Sequence, residues 1–215
     1  MRGGPTIEGA ARVDDNVFDL LSARKGHFRL ESGHHGELWL DLERLCLHLE
    51  SVRVLAAQLA ARLARCDVEV VCGPLVEGAF VALMVASEIA VDFTYADRFP
   101  DLQAQTSGRL YPVEYRIPKA LRPAVCGRRV AIVNDVINAG SAVRGTFDDL
   151  QRCGAEVVAI GTLAVLGAWA ARFAADQQVT LETLTSLPND VWTRPNARCA
   201  PARFPWRPER RYEPR

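Results

Sequence analysis

Arg129-Val130-Ala131-Ile132-Val133-Asn134-Asp135-Val136-Ile137-Asn138-Ala139-Gly140-Ser141-Ala142-Val143-Arg144-Gly145-Thr146 is the stretch that decides the fold of this chain. Val130 to Val133 is a continuous apolar run, as expected of a strand whose sheet is covered on both faces. Asn134 and Asp135 follow as a polar pair at its end. Asn138 to Ser141 then forms a small-residue loop with no bulky side chain to block the backbone. Ser141 reads as a helix N-cap, because Val143, Thr146, Phe147 and Leu150 recur after it at helical spacing. Such a loop presents several backbone N–H groups at the positive end of a helix dipole, which makes a seat for a phosphate. Asp135 is expected to project toward whatever that phosphate is attached to.

Similar units flank this one. Asp14 or Asp15 can cap a helix carrying Val17, Phe18, Leu20 and Leu21. Short strands are predicted over 27–30 and 37–42, with a turn at Ser32-Gly33. Residues 52–63 form an amphipathic helix through Val52, Leu55, Ala56, Leu59 and Leu63. A buried strand over 68–72 is broken by Gly73-Pro74, a helix follows over 78–90, and a strand over 91–95. Residues 97–109 have little apolar support, and 110–117 returns as a strand. After the central motif, Gly154 stops the helix, 157–166 is a long apolar strand, 169–175 a short helix and 179–184 a last strand. Strands alternating with helices predict an α/β fold with a parallel sheet flanked by helices. Neither G-x-G-x-x-G nor G-x-x-x-x-G-K-[ST] occurs, which disfavours a dinucleotide Rossmann site and a P-loop NTPase. The expected organisation is a flexible arm over 1–13, one domain over 14–190 and a tail rich in Pro and Arg over 191–215.

Bulk composition narrows the function. The chain has 215 residues, 49% of them hydrophobic, and a formal net charge of zero, which suits one domain with a sizeable core and argues against a general nucleic-acid binder. Lys25 and Lys119 are the only lysines among 26 Lys and Arg, so arginine or histidine must supply the cations of any site. No apolar run reaches the roughly 20 residues of a membrane span. Six scattered cysteines without a Cys-x-x-Cys pair read as reduced thiols, and the expected location is the cytoplasm. All four histidines precede residue 50, but adjacent His34 and His35 would face opposite sides of a strand, a poor arrangement for metal.

Asn134 to Ser141 resembles the phosphoribosyl-pyrophosphate (PRPP) motif of type I phosphoribosyltransferases, in which a hydrophobic strand runs into two acidic residues, two apolar residues and a loop ending in Thr-Gly or Ala-Gly plus Thr or Ser. The string Asp135-Val136-Ile137-Asn138-Ala139-Gly140-Ser141-Ala142-Val143-Arg144 is most similar to the orotate phosphoribosyltransferase branch. Phe28-Arg29-Leu30-Glu31-Ser32-Gly33-His34-His35-Gly36-Glu37-Leu38-Trp39-Leu40-Asp41-Leu42 resembles that branch's N-terminal Ser-Gly segment. Val70-Val71-Cys72-Gly73-Pro74-Leu75-Val76-Glu77-Gly78-Ala79 resembles its pyrophosphate loop. The likeness covers roughly residues 17 to 185 in the expected order.

The resemblance implies the type I phosphoribosyltransferase fold, with a small N-terminal hood and a mobile lid over 97–116. It implies transfer of a phosphoribosyl group from PRPP to a nitrogen base, most simply orotate, with release of pyrophosphate and use in pyrimidine nucleotide biosynthesis. Asn138, Ala139, Gly140, Ser141 and Ala142 would cradle the 5′-phosphate, and Asn134 and Asp135 the ribose. Gly73, Pro74 and Gly78 would run beside the pyrophosphate. Asp135 and Arg109 are the expected catalytic residues, and His34, His35, Arg98 and Arg116 are expected around the base and the rest of the substrate. Mg²⁺ is expected as cofactor, bound through PRPP and not by protein ligands, and the chain as a homodimer. Three departures stand out: Asn134 where an acid is usual, Glu77 where a small residue is usual, and a lid without lysine, whose cations are Arg98, Arg109 and Arg116. They support an alternative, a PRPP- or nucleotide-binding protein of the same fold with weak or no catalysis.

Overall fold

The computed structural model describes residues 17, 23–30, 32–101 and 113–193. The expected arm over 1–13, most of the expected tail, and Arg109 fall outside the described residues.

Nine strands and four α-helices follow one another through this span. Strands β1 (Arg24–Arg29) and β2 (His35–Trp39) form an antiparallel pair. A 3₁₀ turn, Leu42–Leu47, leads to α1 (Leu49–Leu63). Then come β3 (Val70–Pro74), α2 (Glu77–Ile89), β4 (Asp92–Pro100) and β5 (Val113–Arg116). β6 (Arg129–Ile137), α3 (Ser141–Arg152), β7 (Glu156–Leu166), α4 (Trp169–Gln177), β8 (Thr180–Leu187) and β9 (Val191–Trp192) complete it.

The main sheet has the order β5-β4-β3-β6-β7-β8, and all its strands run parallel except β5, which pairs antiparallel with β4. Both faces are covered, which explains the unbroken apolar runs. Alternate residues of each strand go to opposite cores. Val71, Ala131 and Val133 pack with Leu55, Leu59 and Leu63 of α1 and Val81 and Val85 of α2. Cys72, Val130 and Ile132 pack on the other side with Phe147 and Leu150 of α3. Fully burying one such leucine contributes about 1.5–3 kcal/mol. The remaining sheet, β1-β2-β9, is a separate antiparallel layer, and β9 extends the ordered chain past residue 190 by pairing Val191 and Trp192 with Gly36 and His35.

Several boundaries differ from the local sequence signals. β3 runs through Gly73 and Pro74, which pair with Tyr95 and Ala96 of β4. β4 continues to Pro100 because β5 returns against it, Asp97 opposite Arg116 and Pro100 opposite Val113. Both ends of the expected lid, 97–100 and 113–116, are therefore a two-stranded ribbon, while residues 102–112 lie outside the described residues. The end of that ribbon is tied to α3, where the buried Asp149 carboxylate accepts the Ile117 backbone N–H at 2.7 Å. Arg152 also donates to Asp149, at 3.0 Å.

Candidate functional site

β3 and β6 are neighbours in the sheet, yet the chain leaves them in opposite directions, β3 toward β4 and β6 toward β7, with α2 and α3 on opposite faces. This is a topological switch point, where a crevice opens beyond the carboxyl ends of the strands. A cavity of about 710 Å³ occupies it. Pro74, Glu77 and Gly78 line one wall, and Asn134, Asp135 and the 138–142 loop another. Leu30, Leu38 and Trp39, from the first two strands and the turn after β1, also line it.

The 138–142 loop connects β6 to α3. Ser141 is the first residue of the helix, and Gly140 takes the cap position, correcting the expectation that Ser141 caps. Gly140 sits at φ +77°, and a Cβ there would lie 2.1 Å from the Trp169 ring. Only glycine allows this turn against the indole. Trp169 stacks on Phe173 with centroids 4.6 Å apart. Asn138 is held by Asn189, whose Nδ2 donates to its Oδ1 at 3.0 Å. The Gly140 carbonyl accepts from the Arg144 N–H at 2.9 Å, closing the first helical turn. The N–H groups of the first turn lack intrahelical partners and border the cavity.

Asn134 and Asp135 lie inside β6, not after it. The strand continues to Ile137 because β7 pairs with it throughout, Asn134 with Thr162 and Val136 with Ala164. The Thr162 hydroxyl donates to the Asp135 carbonyl at 2.9 Å, fixing the backbone beneath the site. Asp135 is 4% exposed. Burial is the main cause that pushes its carboxyl up, to about 7; the charge of Glu77 pushes the same way, and the Val136 N–H, donating at 2.7 Å, opposes both. Asn134 Nδ2 donates to the Val136 carbonyl at 2.8 Å. Its Oδ1 then faces the start of α2, where a Cβ on Gly78 would come within 2.0 Å of it. Gly78 is thus required for the two walls to approach. Gly73 is buried in β3 behind this wall.

The other expected site residues divide. Arg98 lines the cavity. Arg116 does not: it is exposed, bonds Glu114 and lies 5.6 Å over the Phe99 ring. His34 and His35 are not among the residues that line the cavity. His35 is buried and shares a 2.8 Å hydrogen bond with His27, because the β1–β2 register sets Arg29 opposite His35. His34 bonds Ser32 at 3.0 Å, and burial lowers its pKa. Sequence reasoning missed the wall contributed by Leu30, Ser32, Leu38, Trp39, Tyr115 and Leu166. Leu30, Ser32, Leu38 and Trp39 all lie within the quoted Phe28 to Leu42 segment, which is the local signal that could have pointed to them. No group of three or more His, Cys, Asp or Glu side chains suited to a metal ion occurs among the described residues.

No family model matches the chain. Among curated proteins, the orotate phosphoribosyltransferase of Caldanaerobacter subterraneus subsp. tengcongensis is 28% identical over 148 residues, covering 68% of this chain and 71% of that protein. The orotate phosphoribosyltransferase of Thermotoga maritima is 30% identical over 139 residues, 65% of this chain and 67% of that protein. Solved structures share the fold. The orotate phosphoribosyltransferase of Mycobacterium tuberculosis, in complex with inorganic phosphate, superposes with a TM-score of 0.57 at 22% identity, covering 83% of this chain and 97% of that one. The adenine phosphoribosyltransferase of Rhodothermus marinus gives a TM-score of 0.61 at 20% identity, with 83% and 100% covered. With relatives aligned over two thirds of their length, and with the switch-point cavity flanked by the β6–loop–α3 turn, this chain belongs to the orotate phosphoribosyltransferase family of type I phosphoribosyltransferases.

Proposed function

We propose that the chain transfers the 5-phosphoribosyl group of PRPP to a ring nitrogen of orotate and releases pyrophosphate, a step of pyrimidine nucleotide biosynthesis. The observation that carries this reading is the 138–142 loop, a helix N-terminus opening into the switch-point cavity with Asp135 buried beside it. The loop N–H groups and the Ser141 hydroxyl hold the 5′-phosphate. Asp135 accepts hydrogen bonds from the ribose hydroxyls, and the Asn134 amide oxygen accepts a further one. The pyrophosphate lies along Pro74 and Gly78, where Arg98 supplies positive charge. The base enters from the side of Leu30, Leu38 and Trp39.

Bond breaking at the anomeric carbon runs ahead of bond making, so the ribose becomes positive and the leaving pyrophosphate more negative. The chain's contribution is positioning and preorganised charge. Asp135 faces the developing positive charge; the apolar Leu30 and Leu38 exclude water. Oxygen donors on Asn134, Asp135 and Glu77 suit Mg²⁺, which when bound stabilises charge on the leaving group.

The chain acts as a homodimer. Val76, Phe80 and Leu83 are exposed to 49%, 45% and 51% along the outer face of α2, an apolar strip continuous with the cavity wall at Val76. Cys66, Cys72, Cys126 and Cys153 are free thiols, which suits a reducing, cytoplasmic setting. No helix among the described residues is long and apolar enough to cross a membrane.

The assay is direct. With PRPP, Mg²⁺ and orotate, the protein consumes orotate and yields orotidine 5′-monophosphate and pyrophosphate in equal amounts. The acidic Glu77 and the missing acid at Asn134 favour a second reading, a PRPP-binding protein without turnover. Calorimetric binding of PRPP with no consumption of any base on a broad panel would establish that one instead.

A further inference from the structure

Arg98 is the one cation among the described residues that line the cavity, and it stands on a ribbon at the edge of the sheet. In the β4–β5 register it lies opposite Tyr115, which is buried and lines the same cavity. β5 pairs with β4 alone, so the sheet does not hold the outer side of the ribbon. Helix α3 does.

Two residues of α3, four apart on one face, make the attachment. Gly145 lets the helix close on β5: a Cβ there would lie 3.0 Å from Tyr115 Cδ2 and 3.4 Å from the Tyr115 backbone nitrogen. Glycine inside a helix is unfavourable relative to alanine, and this close approach accounts for it. Asp149 is buried; its Oδ2 accepts the Ile117 N–H at 2.7 Å and its Oδ1 accepts from Arg152 at 3.0 Å. Arg122 Nη2 lies 3.9 Å from Oδ2, and the same guanidinium donates through Nε to the Ile117 carbonyl at 3.2 Å. Both backbone polar groups of Ile117, the residue after β5, are therefore held by side chains. A buried carboxylate is costly unless it is paired and hydrogen-bonded; here two arginines and a backbone N–H pair it, and what it fixes is the end of β5. The same helix opens at the 138–142 loop. One rigid element thus carries the proposed phosphate seat at its start and the anchor of the Arg98 ribbon two turns further on.

We propose that Asp149 is a positioning residue of the transfer reaction: by holding Ile117 it sets β5, and through the Arg98–Tyr115 rung it places Arg98 against the pyrophosphate in register with the 138–142 loop. The inference rests on the proposed transferase reading and deepens it. Asp149 is not among the residues that line the cavity, so it acts through Arg98 and not by touching substrate.

The test is calorimetric binding of two ligands, PRPP and ribose 5-phosphate, to Asp149→Ala in the wild-type and Arg98→Ala backgrounds. Ribose 5-phosphate lacks the pyrophosphate assigned to Arg98, so Asp149→Ala should bind it within about twofold of wild type, while PRPP affinity falls by at least about tenfold. Asp149→Asn, whose amide oxygen can still accept the Ile117 N–H, should bring PRPP affinity back to within about threefold of wild type. In the Arg98→Ala background the further loss from Asp149→Ala should stay under about twofold, because the two residues act as one unit. Gly145→Ala presses on Tyr115 from the same helix face and is carried through the same cycle, so the proposal is decided even where Asp149→Ala does not fold, which circular dichroism reports. Equal losses of PRPP and ribose 5-phosphate affinity overturn the proposal, as does a loss in the Arg98→Ala background as large as in wild type. Wild-type protein that binds neither ligand removes the transferase reading and this inference together. Wild-type turnover of PRPP and orotate with additive losses removes this inference alone.

Discussion

Asp135→Asn is expected to lower kcat/KM for PRPP by about a hundredfold or more, while making the metal-free protein more stable at pH 8. The first effect follows from the proposed reaction, in which this carboxylate meets both the ribose hydroxyls and the positive charge developing on the sugar. The second follows from burial. In the folded chain the Asp135 carboxyl is pushed from the usual 3.8 to about 7, by burial first and then by Glu77, against the opposing Val136 N–H. Between those two values the native state holds a proton that the unfolded chain has released. Stability contributed by this group therefore falls as pH rises through that window and stays low above it. Each tenfold change in proton affinity between the folded and unfolded chain corresponds to about 1.4 kcal/mol, so the full penalty at pH 8 is a few kcal/mol at most. Asparagine carries no charge and avoids it. Calorimetric melting in buffer free of divalent cations should give similar Tm values for the two proteins near pH 4 and a higher Tm for Asp135→Asn at pH 8. A lower Tm at pH 8 would show that the carboxylate is a structural anchor for the Val136 N–H.

Gly140→Ala is the second change with a large expected effect. It places a Cβ on a residue at φ +77° and drives it to 2.1 Å from Trp169 Cζ3. The left-handed conformation alone costs an alanine about 1 kcal/mol or more. The indole cannot yield freely, since it is stacked on Phe173, which in turn meets Phe147 edge-on with centroids 5.3 Å apart. Overpacking adds about 1–3 kcal/mol. Denaturant unfolding should report a loss of roughly 2–4 kcal/mol, the sum of these two contributions. PRPP affinity should drop by at least about tenfold, because the N–H groups of the first turn of α3 are displaced with the loop. Unchanged PRPP affinity in a destabilised Gly140→Ala protein would mean that the loop does not touch the phosphate.

Much of the fold could be read from local pattern. The run from Val130 to Val133 and the spacing of Val143, Phe147 and Leu150 follow from each strand feeding both cores and the helix feeding one. The 138–142 loop and the helix start after it were legible for the same reason: small residues between those two patterns leave the backbone bare. What local pattern did not show depends on pairing at a distance. Asn134 and Asp135 are strand residues only because β7 continues past them, and Pro74 is a strand residue because β4 lies beside it. Gly140 displaces Ser141 from the cap because of an indole far along the chain, at Trp169. His35 meets His27 because antiparallel pairing of β1 and β2 brings the two together. Arg98 and Arg116 sit on the two strands of one ribbon, yet only Arg98 reaches the cavity, since Glu114 and Phe99 engage Arg116 outside it. Glu43, Glu77 and Asp135, scattered in sequence, line one cavity for the same reason.

Ribose 5-phosphate carries the 5′-phosphate and the ribose hydroxyls without pyrophosphate or base, so its calorimetric titration isolates the contact on which the whole reading rests. The wild-type protein should bind it at one site per chain and release it when PRPP is added, and Gly140→Ala should abolish that binding. Failure of ribose 5-phosphate to bind, or binding that PRPP does not displace, would contradict the assignment of the 138–142 loop as the phosphate seat.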